Sequence, residues 1–262
     1  MENLKNYYIL YFDVLGYKSL VENGEDEYLI DRIQHIIKTN ALLGKNIFKS
    51  KLYTYSFSDN FLLAIDDSSF YDLALFIASI ELIQLDLFVS GIIVRGGLIK
   101  GPLLVKKNFI YGKGLIDAYN IENSIAKYPR IVFDKNLITE IRHIKKELIH
   151  YKKTVAKNEL SETTYKTLLF AIDCLHFQKD SDGHFFIDYL DGIKAFDGFD
   201  IEYNAPEKTV LLAVHSALIE KRLNEFKNNK NIFEKYMWCC EYHNKFCVKH
   251  NYVDMMFYHI AH

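Results

Sequence analysis

Proline and glycine are scarce, at 3 and 12 of 262 residues, which excludes a Pro-rich linker, a collagen-like body and a low-complexity chain. Four cysteines are too few for a disulfide scaffold, so free thiols of a reducing cytosol are expected. Charge of one sign is also missing. Lys plus Arg number 32 and Asp plus Glu 34, a formal −2, so no broad basic face awaits a nucleic acid or a membrane surface. No apolar run reaches the roughly 20 residues of a membrane span. The nearest, residues 73–94, is interrupted by Glu81, Gln84 and Asp86. Residues 1–6 carry no basic region followed by a cleavable apolar run, so no signal peptide is expected, and a cytoplasmic location is. Tryptophan occurs once, whereas Phe and Tyr each occur 19 times. Half of the residues are hydrophobic, enough for a sizeable core.

Residues 7–15 (Tyr-Tyr-Ile-Leu-Tyr-Phe-Asp-Val-Leu) read as a central strand with a carboxylate near its end, stopped by Gly16. Apolar residues at helical spacing predict a helix over 26–43, with Gly44 as its cap. Residues 52–57 and 61–65 read as a hairpin around Ser58-Asp59-Asn60, which puts Asp59 at the tip. A strongly apolar helix follows over 71–89, then an extended run over 91–105 interrupted by Gly96-Gly97 and Gly101-Pro102. A helix over 112–126 and a short strand over 130–133 come next. This order is close to a split βαβ, or ferredoxin-like, α+β core with helices on one face of an antiparallel sheet. Beyond residue 135 the texture changes to a charged amphipathic helix (137–157), a hairpin across Lys179-Asp180-Ser181-Asp182-Gly183, and long helices over 210–250 broken near 228–231. The division expected is a catalytic-type core over 1–135 and a helical extension with one hairpin over 136–262, packed on the core.

Asp13 and Asp59 stand at the end of the first strand and the tip of the hairpin. In a split βαβ sheet these strands are neighbours, so the two carboxylates converge. Such a pair repels unless a cation lies between, and hard divalent ions that also bind triphosphate oxygens suit it. Taken singly, each acid reads more simply as a turn residue or a strand-end cap.

Phe12-Asp13-Val14-Leu15-Gly16-Tyr17 resembles the first metal motif of class III nucleotide cyclases, Phe-Asp-Ile-x-Gly-Phe. Phe57-Ser58-Asp59, 46 residues on, is similar to the second, with Ser in place of Gly. Arg95-Gly96-Gly97-Leu98-Ile99-Lys100-Gly101-Pro102 resembles the Arg-x-Gly-Ile-x-x-Gly-Pro stretch of the cyclase core. Tyr111-Gly112 through Asp117-Ala118-Tyr119-Asn120-Ile121-Glu122 resembles the helix that closes Ala-x-Arg-Leu-Glu, and Arg130-Ile131-Val132-Phe133 follows in the expected place. Four such motifs in order cover residues 7–135. The resemblance implies two divalent cations, Mn²⁺ or Mg²⁺, held by Asp13, Asp59 and the carbonyl of Val14. It also implies attack of a ribose 3′-hydroxyl on the α-phosphorus with release of pyrophosphate, at sites formed between two copies of the chain.

Purine cyclases carry an Asn and an Arg where this chain has Ile116 and Asn120, a Lys near Tyr53 and an Asp near Phe109. This pattern, with the stretch Lys-Tyr-Met-Trp-Cys-Cys-Glu-Tyr-His-Asn over 235–244, resembles the bacterial Pycsar antiphage pyrimidine cyclases, which make cyclic UMP or cyclic CMP for an effector protein. Substrate contacts are then expected from Phe12, Tyr53, Arg95 and Asn120, with Arg95 or Asn120 in place of the usual transition-state Arg. Tyr53 narrows a base pocket and offers a hydroxyl to a pyrimidine edge. Arg95, beside two glycines where a ligand can approach, offers a bidentate guanidinium to phosphate. As core and surface residues, Tyr53 is simply a packed aromatic and Arg95 a strand ion pair. Lys100 reads as a solvated lysine.

The remaining patterns are weaker. Cys239, Cys240, His243 and Cys247 share a helix with Trp238, Tyr242 and Phe246 and read as core rather than zinc ligands. Asp180-Ser181-Asp182-Gly183 lacks the later Glu of a calcium loop and reads as a turn. Three alternatives to the pyrimidine cyclase stand beside it: a purine cyclase, a non-catalytic cyclase-like module that binds a nucleotide or partner, and an RNA-binding split βαβ domain using exposed aromatics. Near-neutral charge counts against the last.

Overall fold

The computed structural model describes residues 4–22, 24, 26–45, 51–67, 70–106, 109–154, 161, 165, 166, 169, 172, 175–191 and 208–257. Its organising element is β1 (Lys5–Val14), in which alternate residues face opposite sides. Tyr8, Leu10, Phe12 and Val14 enter the larger core, while Tyr7 and Ile9 enter a smaller one on the other face. A short helix α1 (Tyr17–Glu22) and the longer α2 (Asp26–Lys45) follow. The hairpin forms as the turn residues predict, with β2 (Leu52–Phe57) and β3 (Asn60–Asp66) joined by Ser58 and Asp59. Then come α3 (Phe70–Val89), β4 (Val94–Lys106), the short β5 (Phe109–Tyr111), α4 (Lys113–Ser124) and β6 (Ile131–Phe133). The remainder is α5 (Lys135–Thr154), β7 (Phe177–Lys179), β8 (Phe185–Ile187), α6 (Lys208–Glu225) and α7 (Lys230–Lys249), closed by a 3₁₀ turn over Val253–Met255. Residues 155–160 and the flanks of the expected second hairpin lie largely outside the described residues.

The eight-stranded sheet runs β2-β3-β1-β4-β6-β8-β7, with β5 paired to β4. Strands β1, β2, β3 and β4 pair antiparallel in the split βαβ order. β6 lies parallel to β4, and β8 pairs β6 through Val132 and Phe186. The C-terminal hairpin therefore continues the sheet of the first 135 residues, and residues from both parts share the larger core. No helix among the described residues is long and apolar enough to cross a membrane.

One expectation is corrected. Helices cover both faces of the sheet: α3 packs on the side of Leu10 and Phe12, and α4 on the side of Ile9 and Ile99. The reason is a set of glycines that admit α4 at close range. A Cβ on Gly97 would stand 2.8 Å from Ile121 Cβ and 2.9 Å from the Ala118 carbonyl. A Cβ on Gly101 would stand 2.8 Å from the Cα of Gly114 on α4. Gly96 is closed in the same way by Phe12 of β1, whose Cβ would lie 2.7 Å away. These glycines serve the approach of helix and strand, not that of a ligand.

The expected core character of the cysteines is seen in Cys239, Cys240 and Cys247, all buried and free. The Asp180–Gly183 turn has a structural partner that its sequence does not announce. Arg130, fully buried, pairs with both Asp180 and Asp182 and lies against Tyr128, Phe186 and Trp238. Trp238 Nε1 donates to the same Asp180 at 2.7 Å.

Candidate active site

β1 carries Asp13 to the end of the sheet, on the face covered by α4. Its register partners are Asn60 on β3 and Arg95 on β4. The chain then turns at Leu15 and Gly16, where Gly16 takes a φ of 82°, a left-handed conformation that suits glycine. The tip of the β2–β3 hairpin reaches the same point. The Val14 amide donates to the Asp59 carbonyl at 3.2 Å, and Asn60 Nδ2 donates to the Asp59 carboxylate at 2.9 Å. Tyr11, on the same face of β1, donates its hydroxyl to Asn60 Oδ1 at 2.8 Å. The two acids named from the sequence are thus neighbours, close enough for the charge of Asp59 to act on Asp13.

Arg95 stands beside them. Its Nε and Nη2 donate to Asp13 Oδ2 at 3.2 and 3.1 Å. Nη2 also lies 2.8 Å from Glu122 Oε1, an ionic contact without hydrogen-bond geometry. Glu122, brought by α4, is the acid that sequence reasoning missed as a site residue. The only signal was its place as the last residue of the helix motif. Its side chain is 4% exposed. Burial pushes its carboxyl up to about 7, with the charges of Asp13 and Asp59 adding and Arg95 opposing. Burial also raises the Asp13 carboxyl, against the pull of Arg95. Asp13 Oδ1 is buried and has no hydrogen-bond partner. A buried carboxylate oxygen left unpaired is costly, and a hard cation satisfies it. Among the described residues no three metal-ligating side chains come together. Two carboxylates alone would leave an ion most of its shell for water and phosphate oxygens, as Mg²⁺-type ions prefer.

A lysine absent from the sequence reading of the site enters from α7. Lys235 is half-buried and within electrostatic reach of Asp13, Glu122 and Arg95.

The other named residues lie elsewhere within the chain. The Phe12 ring is 1% exposed and stacks on Phe61 with centroids 5.2 Å apart, on the face opposite Asp13. It is a core residue, and its ring has no access to a substrate. Tyr53 pairs with Ala64, which pairs with Ile9, four residues before Asp13 and so about 13 Å back along β1. It packs edge-on against Tyr7, with centroids 6.0 Å apart. Asn120 is exposed on α4, two residues from Glu122 and hence on the other side of the helix. Lys100 is paired with Asp67 and Glu140 at 2.8 and 2.9 Å, near Tyr8 rather than Asp13.

Next to the carboxylates an open apolar groove of about 490 Å³ runs between β2, β5 and α4, lined by Tyr11, Tyr55, Phe57, Phe109, Ile116 and Tyr119. Phe57 is 83% exposed, Ile116 58% and Phe109 53%. Large apolar side chains so exposed and so close together mark an interaction surface. Asn60 borders both the groove and Asp59.

No protein-family model matches the chain, and no curated protein matches it. Among solved structures it is similar to the adenylyl cyclase CyaB from P. aeruginosa, with 15% identity and a TM-score of 0.40, over 53% of this chain and 82% of that one. It is similar to the guanylyl cyclase Cya2, with 14% identity and a TM-score of 0.42, over 53% and 80%. A bacterial light-regulated adenylyl cyclase gives 15% identity and a TM-score of 0.39, over 50% and 76%.

Proposed function

We propose that the chain is a nucleotide cyclase that closes UTP, or CTP, to the 3′,5′-cyclic monophosphate and releases pyrophosphate. The observation that carries this reading is the meeting of Asp13 and Asp59 at one end of a split βαβ sheet, with the buried Oδ1 of Asp13 left without a partner. The order of the four motifs along the chain supports it.

Asp13 and Asp59, with the Val14 carbonyl, hold the two divalent cations, Mn²⁺ or Mg²⁺. When bound, such ions supply positive charge to the reacting oxygens and the leaving phosphates. Arg95 bridges Asp13 and Glu122 and is the guanidinium nearest a phosphate seated at Asp13. A planar fork of donors suits that oxygen geometry. Glu122 holds Arg95 in place and sets how much net charge the site carries.

Base recognition belongs to the groove in this reading. Phe109 and Ile116 line the groove away from Asp13 in the same chain, so a second copy set face to face across it is the route by which they would meet the nucleotide. The exposed Phe57, Phe109 and Ile116 support such a homodimer. The absence of a Lys and an Asp at Tyr53 and Phe109 supports a pyrimidine over a purine. The product then serves as a second messenger to an effector in antiphage defence.

The test is mass spectrometry of the products after incubation with all four ribonucleoside triphosphates and Mn²⁺, for the unaltered chain and for Asp13→Ala and Asp59→Ala. Cyclic UMP or cyclic CMP is expected from the unaltered chain alone. Cyclic AMP or GMP would establish the purine reading. Nucleotide binding without any cyclic product would establish a non-catalytic module.

A further inference from the structure

The end of α7 nearest the site is held firmly. Asn229 caps the helix by accepting from the Ile232 amide at 3.3 Å. Trp238, three residues after Lys235, donates to Asp180, which also pairs with Arg130. The Arg130 carbonyl in turn accepts from the Gly96 amide at 3.0 Å, next to Arg95. Lys235 is thus placed by a chain of buried contacts that ends at the strand carrying Arg95.

Its surroundings are a cleft of about 90 Å³ between the end of β1 and the α6–α7 pair, lined by Val14, Leu15, Gly16 and Ile93 on one side and by Arg222 and Lys235 on the other. Arg222 is already paired with Glu225 at 2.8 Å. Among the described residues Lys235 has no partner at ion-pair distance, and the charges it feels are Asp13, Glu122 and Arg95. Burial and the Arg95 guanidinium both pull the Lys235 ammonium below its ordinary proton affinity. Once cations take the charge of Asp13 and Asp59, Lys235 in the cleft and Arg95, held by Glu122, are left within electrostatic reach of each other. That arrangement is unfavourable unless an anion joins them.

We propose that Lys235 binds the terminal phosphates of a nucleoside triphosphate whose α-phosphate lies at Asp13, so that the C-terminal helical pair is part of the active site. The cleft opens on the backbone of Val14, Leu15 and Gly16, just after Asp13, so phosphates beyond an α-phosphate at Asp13 are within its reach. This inference rests on the cyclase reading and assigns to that site a binding residue from outside the first 135 residues.

The test uses inorganic pyrophosphate as probe, titrated calorimetrically into the full chain at saturating Mn²⁺, with Mn²⁺ affinity measured separately by electron paramagnetic resonance. Removing one charge-assisted hydrogen bond is expected to weaken pyrophosphate about 10- to 100-fold in Lys235→Gln. Lys235→Arg should keep most of the affinity, which also shows that the variant helix folds. A lysine that is merely the counter-ion of Asp13 and Glu122 gives the opposite pattern, tighter Mn²⁺ and unchanged pyrophosphate in Lys235→Gln, and that result overturns the proposal. Were the unaltered protein to make cyclic product while Lys235→Gln bound pyrophosphate normally, this inference alone would fall. If the unaltered protein neither bound pyrophosphate nor turned over any triphosphate, the cyclase reading would fall with it.

Discussion

Gly97→Ala tests how closely helix and sheet must approach to build the site. Two effects oppose one another. Alanine restricts the unfolded chain and, where its backbone conformation is allowed, stabilises by about 0.4–1 kcal/mol. Against that, the new Cβ would sit 2.8 Å from Cβ and Cγ2 of Ile121 and 2.9 Å from the Ala118 carbonyl. The carbonyl belongs to helix backbone, so α4 itself must retreat by several tenths of an ångström. Overpacking of this kind costs about 1–3 kcal/mol, so the net expectation is destabilisation of about 1–2 kcal/mol. Because Glu122 follows Ile121, the retreat also draws its carboxylate away from Arg95, and activity should fall by more than stability alone explains. Urea unfolding with and without Ile121→Ala separates the terms. Ile121→Ala alone should cost about 2–5 kcal/mol for its buried side chain, but less in the Gly97→Ala background, where it removes the clash. Coupling of 1 kcal/mol or more is expected between contacting residues. Strictly additive costs, or a Gly97→Ala protein as stable as the unaltered one, would refute the close-approach account.

Three further outcomes are expected. Arg130→Ala leaves Asp180 buried without its cation and should destabilise by about 3–5 kcal/mol in a thermal or urea melt, whereas Arg222→Ala, on a partly exposed pair, should cost about 1 kcal/mol or less. Phe57→Asp places a charge on the exposed groove and should shift the chain toward monomer in light scattering while leaving the melt unchanged. His215 and His243 are buried neutral, and burial lowers both below their ordinary value of 6.5, so the folded state resists protonation. The unfolded chain takes up those protons as pH falls below about 6.5. Stability should therefore drop there by up to about 1.4 kcal/mol per pH unit for each His. Above 6.5 the pair imposes no pH dependence. The slope of unfolding free energy between pH 6.5 and 5 should be shallower in His215→Phe, which keeps a ring against Phe88. An unchanged slope would mean that the pair is not held neutral.

The histidine pair also shows how a tautomer follows from geometry alone. His243 Nε2 lies 2.9 Å from the Met255 carbonyl and must donate, so its Nδ1 accepts from His215 Nδ1 at 3.0 Å. His215 Nε2 is then left to accept the Tyr189 hydroxyl at 2.9 Å.

What was legible in the sequence is what local chemistry decides. Asp13 and Asp59 stand where a strand ends and a hairpin turns, and the spacing of apolar residues specifies both elements. The break between α6 and α7 shows in its run of Asn and Lys. What stayed hidden depends on which way a helix returns. Neither Glu122 nor Lys235 is unusual on its own helix, and each gains its role only because α4 crosses the second face of the sheet and α7 folds back to the end of β1. The substrate contact that the resemblance implies for Phe12 fails on strand alternation, which sends the neighbours Phe12 and Asp13 to opposite faces. The glycines after Arg95 were misassigned because a close helix and a close ligand demand the same missing Cβ.

α3 is apolar nearly all the way round, and almost every described side chain on it is buried, from Leu73 and Phe76 to Leu87 and Phe88. α2 covers part of its outer surface, α5 and α6 cover the rest, and the edge of β6 is covered by β8. A chain ending near residue 135 would leave that helix wet along one side and offer a bare strand edge to its neighbours, the two conditions that favour insoluble assembly. Residues 1–135 are thus not expected to behave as a detachable module, and expression of them alone should yield more aggregate than expression of the full chain.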